Sequence, residues 1–297
     1  VKDRDDGTPD NWICVDSERG ISEMIKINEA ETEYEVSGDF TSFNSDGFSF
    51  GDYNNINQSG VNYASWSWKK SATAGTDIVT YTGDDSASRT ISHSLGAKPD
   101  LIWVKSRSDT TNWMTYVREK GAGGYVVLNT NSSWIGGSGY DVPFANTDPT
   151  SSVFSVGDGG GNWGTNETGE TYFAYLFASI PGFSKTGMYT AVSGSGSTPN
   201  NNGAFVYTGF QPAFLLVKRL DGNGDWTLKD SVRSPYNSRL EMLFPNTQGT
   251  ELNSEAVDFV SNGFKCRSAS GYFDYPDGAN FLYLAFAEHP FKNSNGA

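Results

Sequence analysis

Asp221-Gly222-Asn223-Gly224-Asp225 sets three oxygen-bearing side chains, Asp221, Asn223 and Asp225, at alternate positions, as a calcium loop does with its ligands. The bidentate Glu such a loop needs further on is absent at the expected distance, and an Asn-Gly turn reads the same residues equally well. Asp16 and Asp230 stand in matched settings, Asp16-Ser17-Glu18-Arg19 and Asp230-Ser231-Val232-Arg233. Two carboxylates are what glycoside hydrolysis requires, whereas an Asp–Arg pair holding a turn is an ordinary local ion pair. The third equivalent stretch, Val117-Arg118-Glu119, lacks the Asp, which weighs against a repeated acid centre. Aromatic rings in loops can stack on sugars, and Trp134, Tyr140, Trp163 and Tyr272 are the candidates for ligand binding. The two histidines, His93 and His289, sit in no metal-ligand spacing, and no nucleophile elbow or phosphate loop occurs. The expectation is a chain without catalytic residues and without a cofactor, calcium at 221–225 excepted.

The elements that would position these residues recur in a fixed order. Val1-Lys2-Asp3-Arg4, Val104-Lys105-Ser106-Arg107 and Val217-Lys218-Arg219 each open a segment running to a tryptophan, at Trp12, Trp113 and Trp226. An apolar run ending in Asn28, Asn129 or Asn246 follows, and each copy closes on an aromatic strand beginning at Tyr63, Tyr172 or Phe281. The two closing intervals, 172 − 63 and 281 − 172, are both 109, while the opening valines step by 103 and 113. Fixed strands with drifting loops produce that contrast. The matched tryptophans are expected to serve packing, because a position kept through internal duplication keeps the fold.

Copies two and three share a front part: 77–81 matches 185–189, and Gly96-Ala97-Lys98-Pro99 matches Gly209-Phe210-Gln211-Pro212. Copy one begins at the Val1 position, so two front strands are expected to be missing from it, with preceding sequence or a neighbouring chain covering the gap. The expected units are 1–74, 75–181 and 182–297. The short linker Ile180-Pro181-Gly182-Phe183 predicts fixed packing between units two and three, as a rod or a compact tandem.

Composition points to an all-β chain of tandem antiparallel sandwich-like repeats. Only 36% of residues are hydrophobic but 14% are aromatic, and there are 34 glycines. That mixture suits short strands with tight turns, where aromatic rings supply the buried area. Leu101-Ile102-Trp103-Val104 and Phe214-Leu215-Leu216-Val217 are continuous apolar runs and are expected to be buried on both faces. The runs 78–81 and 88–93, flanking a Gly-Asp-Asp turn signal, read as a hairpin. A net charge of −14 without a basic cluster argues against nucleic acid as a partner. No apolar run reaches membrane-spanning length. Cys14 and Cys266 lie at non-equivalent places and indicate no disulfide framework.

Three stretches carry a family resemblance: 40–48, the run 203–214 and, most specifically, Ala287-Glu288-His289-Pro290-Phe291. They resemble the C-terminal tandem repeats of large virion-associated proteins of marine tailed phages, in which such repeats often follow lectin-like sandwich modules. The resemblance covers essentially the whole chain and supplies no catalytic residues. It implies a virion structural protein in a tail fibre or other appendage, located on the virion surface or outside the cell and involved in host attachment. Its implied partners are other virion proteins, copies of itself as in a trimer, and host surface glycans, without membrane insertion. A carbohydrate-binding module and a capsid decoration protein are the alternatives, with a polysaccharide depolymerase behind them.

Overall fold

The structure is a computed structural model. It describes residues 1–4, 10–36, 38–51, 54–136, 143–158, 164–192, 202–268 and 271–289. Apart from the four-residue helix Asn54–Asn57 and the 3-10 turn Ala72–Ala74, its elements are strands, all paired antiparallel. No helix of the described residues is long and apolar enough to cross a membrane.

Unit one contains β1 (Lys2–Asp3), β2 (Ile13–Asp16), β3 (Gly20–Lys26), β4 (Tyr34–Glu35), β5 (Phe40–Phe43), β6 (Phe48–Phe50) and β7 (Tyr63–Ala64). Unit two contains β8 (Thr76–Thr82), β9 (Arg89–Ser92), β10 (Leu101–Ser106), β11 (Met114–Val117), β12 (Gly124–Val127), β13 (Ile135–Gly136), β14 (Val153–Val156) and β15 (Thr171–Phe177). In unit three come β16 (Ser184–Thr190), β17 (Phe205–Tyr207), β18 (Pro212–Arg219), β19 (Thr227–Asp230), β20 (Arg239–Met242), β21 (Leu252–Val260), β22 (Gly263–Cys266) and β23 (Asn280–Ala287).

Each unit has two layers. In unit two the inner sheet runs β13-β12-β11-β10-β15-β8 and the outer layer is β14-β9. Unit three repeats the arrangement, with β16-β23-β18-β19 inside and β17-β22-β21-β20 outside. In unit one β7-β1 and β2-β3-β4 lie inside, joined where the Ile13 amide donates to the Val1 carbonyl at 3.0 Å, and β5-β6 lies outside.

The expected hairpin over 78–93 does not form. β8 pairs with β15, residue against residue from Thr76 to Thr82, and β9 pairs with β14 in the other layer. The chain between them arches from one sheet to the other instead of folding back. The arch is tied where the Asp85 amide donates to the Asn166 carbonyl at 2.8 Å, and Gly83 packs so closely on Glu167 that a Cβ would meet its carbonyl at 2.1 Å. Strand β16 and strand β17 part in the same way.

Alternation along the inner strands serves two cores. Along β10, Leu101 and Trp103 enter a cluster shared by all three units, while Ile102 and Val104 enter the private core of unit two. Along β18, Phe214 and Leu216 face the shared cluster, and Leu215 and Val217 face the core of unit three. Both runs are buried on both faces, as their unbroken apolar character requires. Unit one has a small core of its own, built on Ile13, Met24, Phe40 and Ile56.

The shared cluster lies on an approximate threefold axis. Trp68, Phe177 and Phe286, each five residues beyond the start of its closing aromatic run, meet there with centroids 6.3, 5.9 and 6.4 Å apart pairwise. The constant interval of 109 therefore belongs to the segments lining the axis, where a change of register would take a ring out of the centre. The three rings meet in one aromatic cluster, in which Phe177 and Phe286 are buried and Trp68 stays 39% exposed.

Candidate functional site

The recurring polar residues gather at the three seams between units. Each matched tryptophan is buried and donates its indole N–H to a neighbouring unit: Trp12 to the Phe244 carbonyl at 3.0 Å, Trp113 to Lys26 at 3.0 Å and Trp226 to Val127 at 2.9 Å. Unit one thus binds unit three, unit three binds unit two, and unit two binds unit one. The backbone N–H of each tryptophan donates to an Asn Oδ1, that of Asn28, Asn129 or Asn246, at 2.8, 2.9 and 2.8 Å. The amide of that Asn in turn donates to the residue before the tryptophan: Asn11 at 2.7 Å, Asn112 at 2.9 Å and Asp225 at 2.8 Å.

That clamp explains one of the three calcium candidates. Asp225 is the third copy of a structural acceptor that is Asn in the other two units. Asp221 accepts from Arg219 Nε at 2.9 Å and, through its other oxygen, from the Asn280 amide at 2.8 Å. Asn223 is exposed. Protein donors engage both carboxylates, and turn and clamp account for the alternation of the loop. Among the described residues no three His, Cys, Asp or Glu side chains gather to hold a metal.

Beside each clamp lies a cell whose chemistry differs from seam to seam. Between units one and two, Asp16 caps its turn by accepting from the Glu18 and Arg19 amides, both at 2.9 Å, and pairs with Arg19 Nε at 2.5 Å. Arg19 reaches Glu33 at 2.7 Å, Arg107 of unit two reaches Glu33 at 2.6 Å, and Tyr175 of unit two donates to Asp16 at 2.7 Å. Between units three and one the same cell is Asp230, Arg233, Glu251 and Arg4, with Arg233 lying 5.5 Å over the ring of Trp66. Between units two and three the equivalents are Val117, Lys120, Trp134 and Leu220. Here the backbone bond between units survives, Trp134 N–H to the Leu220 carbonyl at 2.8 Å, as Glu33 to Arg107 and Glu251 to Arg4 do at 2.9 Å. The Arg–Glu pair has become a Leu–Trp contact, and Lys120 covers the indole at 4.2 Å.

Electrostatics in the first cell follow its burial. Burial pushes the Asp16 carboxyl up, but Arg19, the Tyr175 hydroxyl and the Arg19 amide more than reverse this and hold it below the ordinary Asp range. Burial likewise opposes the charge on Arg19, and Tyr175, Asp16 and Cys14 more than restore it. Burial raises the Cys14 thiol, whose sulfur lies 3.1 Å from the Tyr175 hydroxyl. The matched Asp–Arg pairs are therefore turn-holding ion pairs extended across a seam.

Of the four loop aromatics, two fall among the described residues. Trp134 is half-buried in the third seam, its ring against the backbones of Gly124 and Gly136. Tyr272 is half-buried beside Phe244, with ring centroids 5.2 Å apart. Tyr140 and Trp163 lie outside the described residues. The two described rings lie in different units. Sequence reasoning passed over Phe205 and Tyr207, which point outward from β17 and are 50% and 59% exposed. Their signal was available: the matching strand β9 has Thr90 and Ser92 at those positions.

Three two-layered antiparallel units closed around a shared aromatic axis define the class: an all-β scaffold whose recurring polar residues serve its seams. The chain belongs to the DUF7483 family, described as a domain of unknown function, which matches residues 1–290 and so spans all three units. No curated protein and no solved structure matches it.

Proposed function

We propose that the chain is a non-catalytic structural protein of a phage virion, part of a tail fibre or other appendage that contacts the host surface. The observation that carries this reading is where the recurring chemistry goes. The matched Trp, Asn, Asp, Arg and Glu residues turn inward to the seams between units, while the outer strands carry different residues from unit to unit, Thr90 and Ser92 in β9 against Phe205 and Tyr207 in β17. A body locked at its seams, with outer strands that differ between units, suits assembly and attachment, and the resemblance of the three quoted stretches to phage repeat proteins supports the same reading. Its partners are other virion proteins and further copies of the chain, with host glycans at the outer face. A carbohydrate-binding module and a capsid decoration protein remain the alternatives.

Mass spectrometry of purified particles, followed by gold-labelled antibody against this chain in electron microscopy, tests the proposal. Label on an appendage is the expected result, and label over the capsid shell favours decoration. Absence from intact particles overturns the reading. Release of reducing sugar from host polysaccharide by the purified chain would overturn its non-catalytic part.

A further inference from the structure

Beside Tyr207, at the outer end of unit three, lies an open cavity of about 260 Å³. It is lined by Gly182, Gly209, Phe210, Gln211, Ser261 and His289, which come from the unit linker, the loop before β18, the turn after β21 and the segment after β23. Gly209 has φ +88°, a conformation in which a side chain would be strained, and lies under the Tyr207 ring: a Cβ there would sit 3.5 Å from the phenol oxygen. The ring thus lies beside Gly209, one of the residues that line the cavity. Lys185 rests against Tyr207, its ammonium 5.3 Å from the ring centroid and donating to the Tyr207 carbonyl at 2.9 Å.

We infer that this corner is a subsite for a neutral oligosaccharide, with Tyr207 and Phe205 as the stacking surface and Gln211, Ser261 and His289 as the groups that bond sugar hydroxyls. Three observations carry the inference. The fold does not need aromatic rings here: β9, which holds the same register in unit two, carries Thr90 and Ser92 opposite Ser155 and Val153, where β17 carries Phe205 and Tyr207 opposite Lys265 and Gly263. Exposed rings beside a concavity lined by a few polar groups are the form small-molecule sites take, and the C–H face of a sugar matches an aromatic face. Among the described residues the cavity lining contains no carboxylate and no Lys or Arg, the two cations beside the rings, Lys185 and Lys265, donate to the Tyr207 and Gly203 carbonyls, and the whole chain carries a net charge of −14, which disfavours acidic polysaccharide.

This inference rests on the attachment reading, in which a glycan is what the outer face meets. The test titrates the full chain with maltohexaose, cellohexaose and chitohexaose, and with a sulfated hexasaccharide as the acidic arm, read by saturation-transfer NMR and calorimetry. The variant Phe205→Thr with Tyr207→Ser installs the residues that β9 tolerates, so its fold is expected to persist, as circular dichroism would verify. Gln211→Ala reports on the polar wall, and Tyr236→Ala, at a ring 82% exposed in another loop, is the control. At least one neutral hexasaccharide is expected to bind, at least tenfold more weakly to the Phe205/Tyr207 variant and unchanged by Tyr236→Ala. No binding by any neutral probe, undiminished binding in the double variant, or binding confined to the sulfated arm overturns the inference. A chain found on the appendage that binds no probe sinks this site alone; a chain that binds but is absent from particles sinks the attachment reading alone.

Discussion

Asp16 shows what a recurring polar residue does in this fold. It is 6% exposed, accepts two backbone N–H groups of its own turn, and faces a fully buried Arg19 and a tyrosine of the next unit. Removing one partner of a buried pair leaves the other charge uncompensated, so Asp16→Ala is expected to cost roughly 3–5 kcal/mol in urea unfolding. The same substitution in a turn-holding pair on the surface would cost under about 1 kcal/mol. The sign of the pH dependence follows from direction. The Asp16 carboxyl titrates lower in the folded chain than its ordinary 3.8, so its stabilising contribution is complete above that value and fades as pH falls through the folded one. Acid unfolding below about pH 4 should be shallower in Asp16→Asn than in the parent.

Lys105 gives a slope of the same sign in a higher pH window. Burial lowers it from 10.5 to about 7, so between those values the unfolded chain binds the extra proton and stability rises with pH. Denaturant midpoints measured at pH 7 and pH 9 should increase, and the increase should shrink in Lys105→Met.

At the scale of elements, the seams are three versions of one contact. Two use Arg–Glu pairs and the third uses Leu220 against Trp134, yet all three keep the backbone bond between units. The polar and apolar solutions should therefore be interchangeable only as pairs. Leu220→Arg alone would bury a charge beside an indole and Trp134→Glu alone would bury a carboxylate beside leucine; each is expected to destabilise. Together they recreate the other seams, and a double-mutant cycle should return a favourable coupling of about 1 kcal/mol or more. Additive costs would mean that the two residues do not share a cell. The parting of β8 and β9 belongs to this scale as well: a turn signal between two short strands marks a change of direction, and which sheet receives the second strand depends on what it packs against.

For the whole molecule, the aromatic axis decides cooperativity. Trp68, Phe177 and Phe286 come from three units, and each inner sheet is covered on one face by its own outer layer and on the other by that axis. Phe177→Ala is expected to cost roughly 3–5 kcal/mol and to lower the midpoint of a single transition, because the cavity opens where all units meet. Separate transitions in calorimetry would show that the units fold independently. Residues 182–297 expressed alone would expose the Phe214, Leu216, Leu284 and Phe286 face, and binding of a hydrophobic dye to that fragment checks the same point.

The sequence by itself determined the all-β class, the doubly buried inner strands and the matched tryptophans as packing residues. Each of these is written in local pattern: unbroken apolar runs, recurring order and a fixed interval of 109 residues. It did not determine the partners of Asp16, the clamp that engages Asp225, the half-burial of Trp134 or the outward aromatic corner at Tyr207. Those depend on which residues are brought together from different units, over separations such as that between Asp16 and Tyr175, and only tertiary closure around the axis sets them. An Asp–Arg pair three residues apart looks the same in sequence whether it sits on a surface or in a seam; the environment closing over it decides what it does.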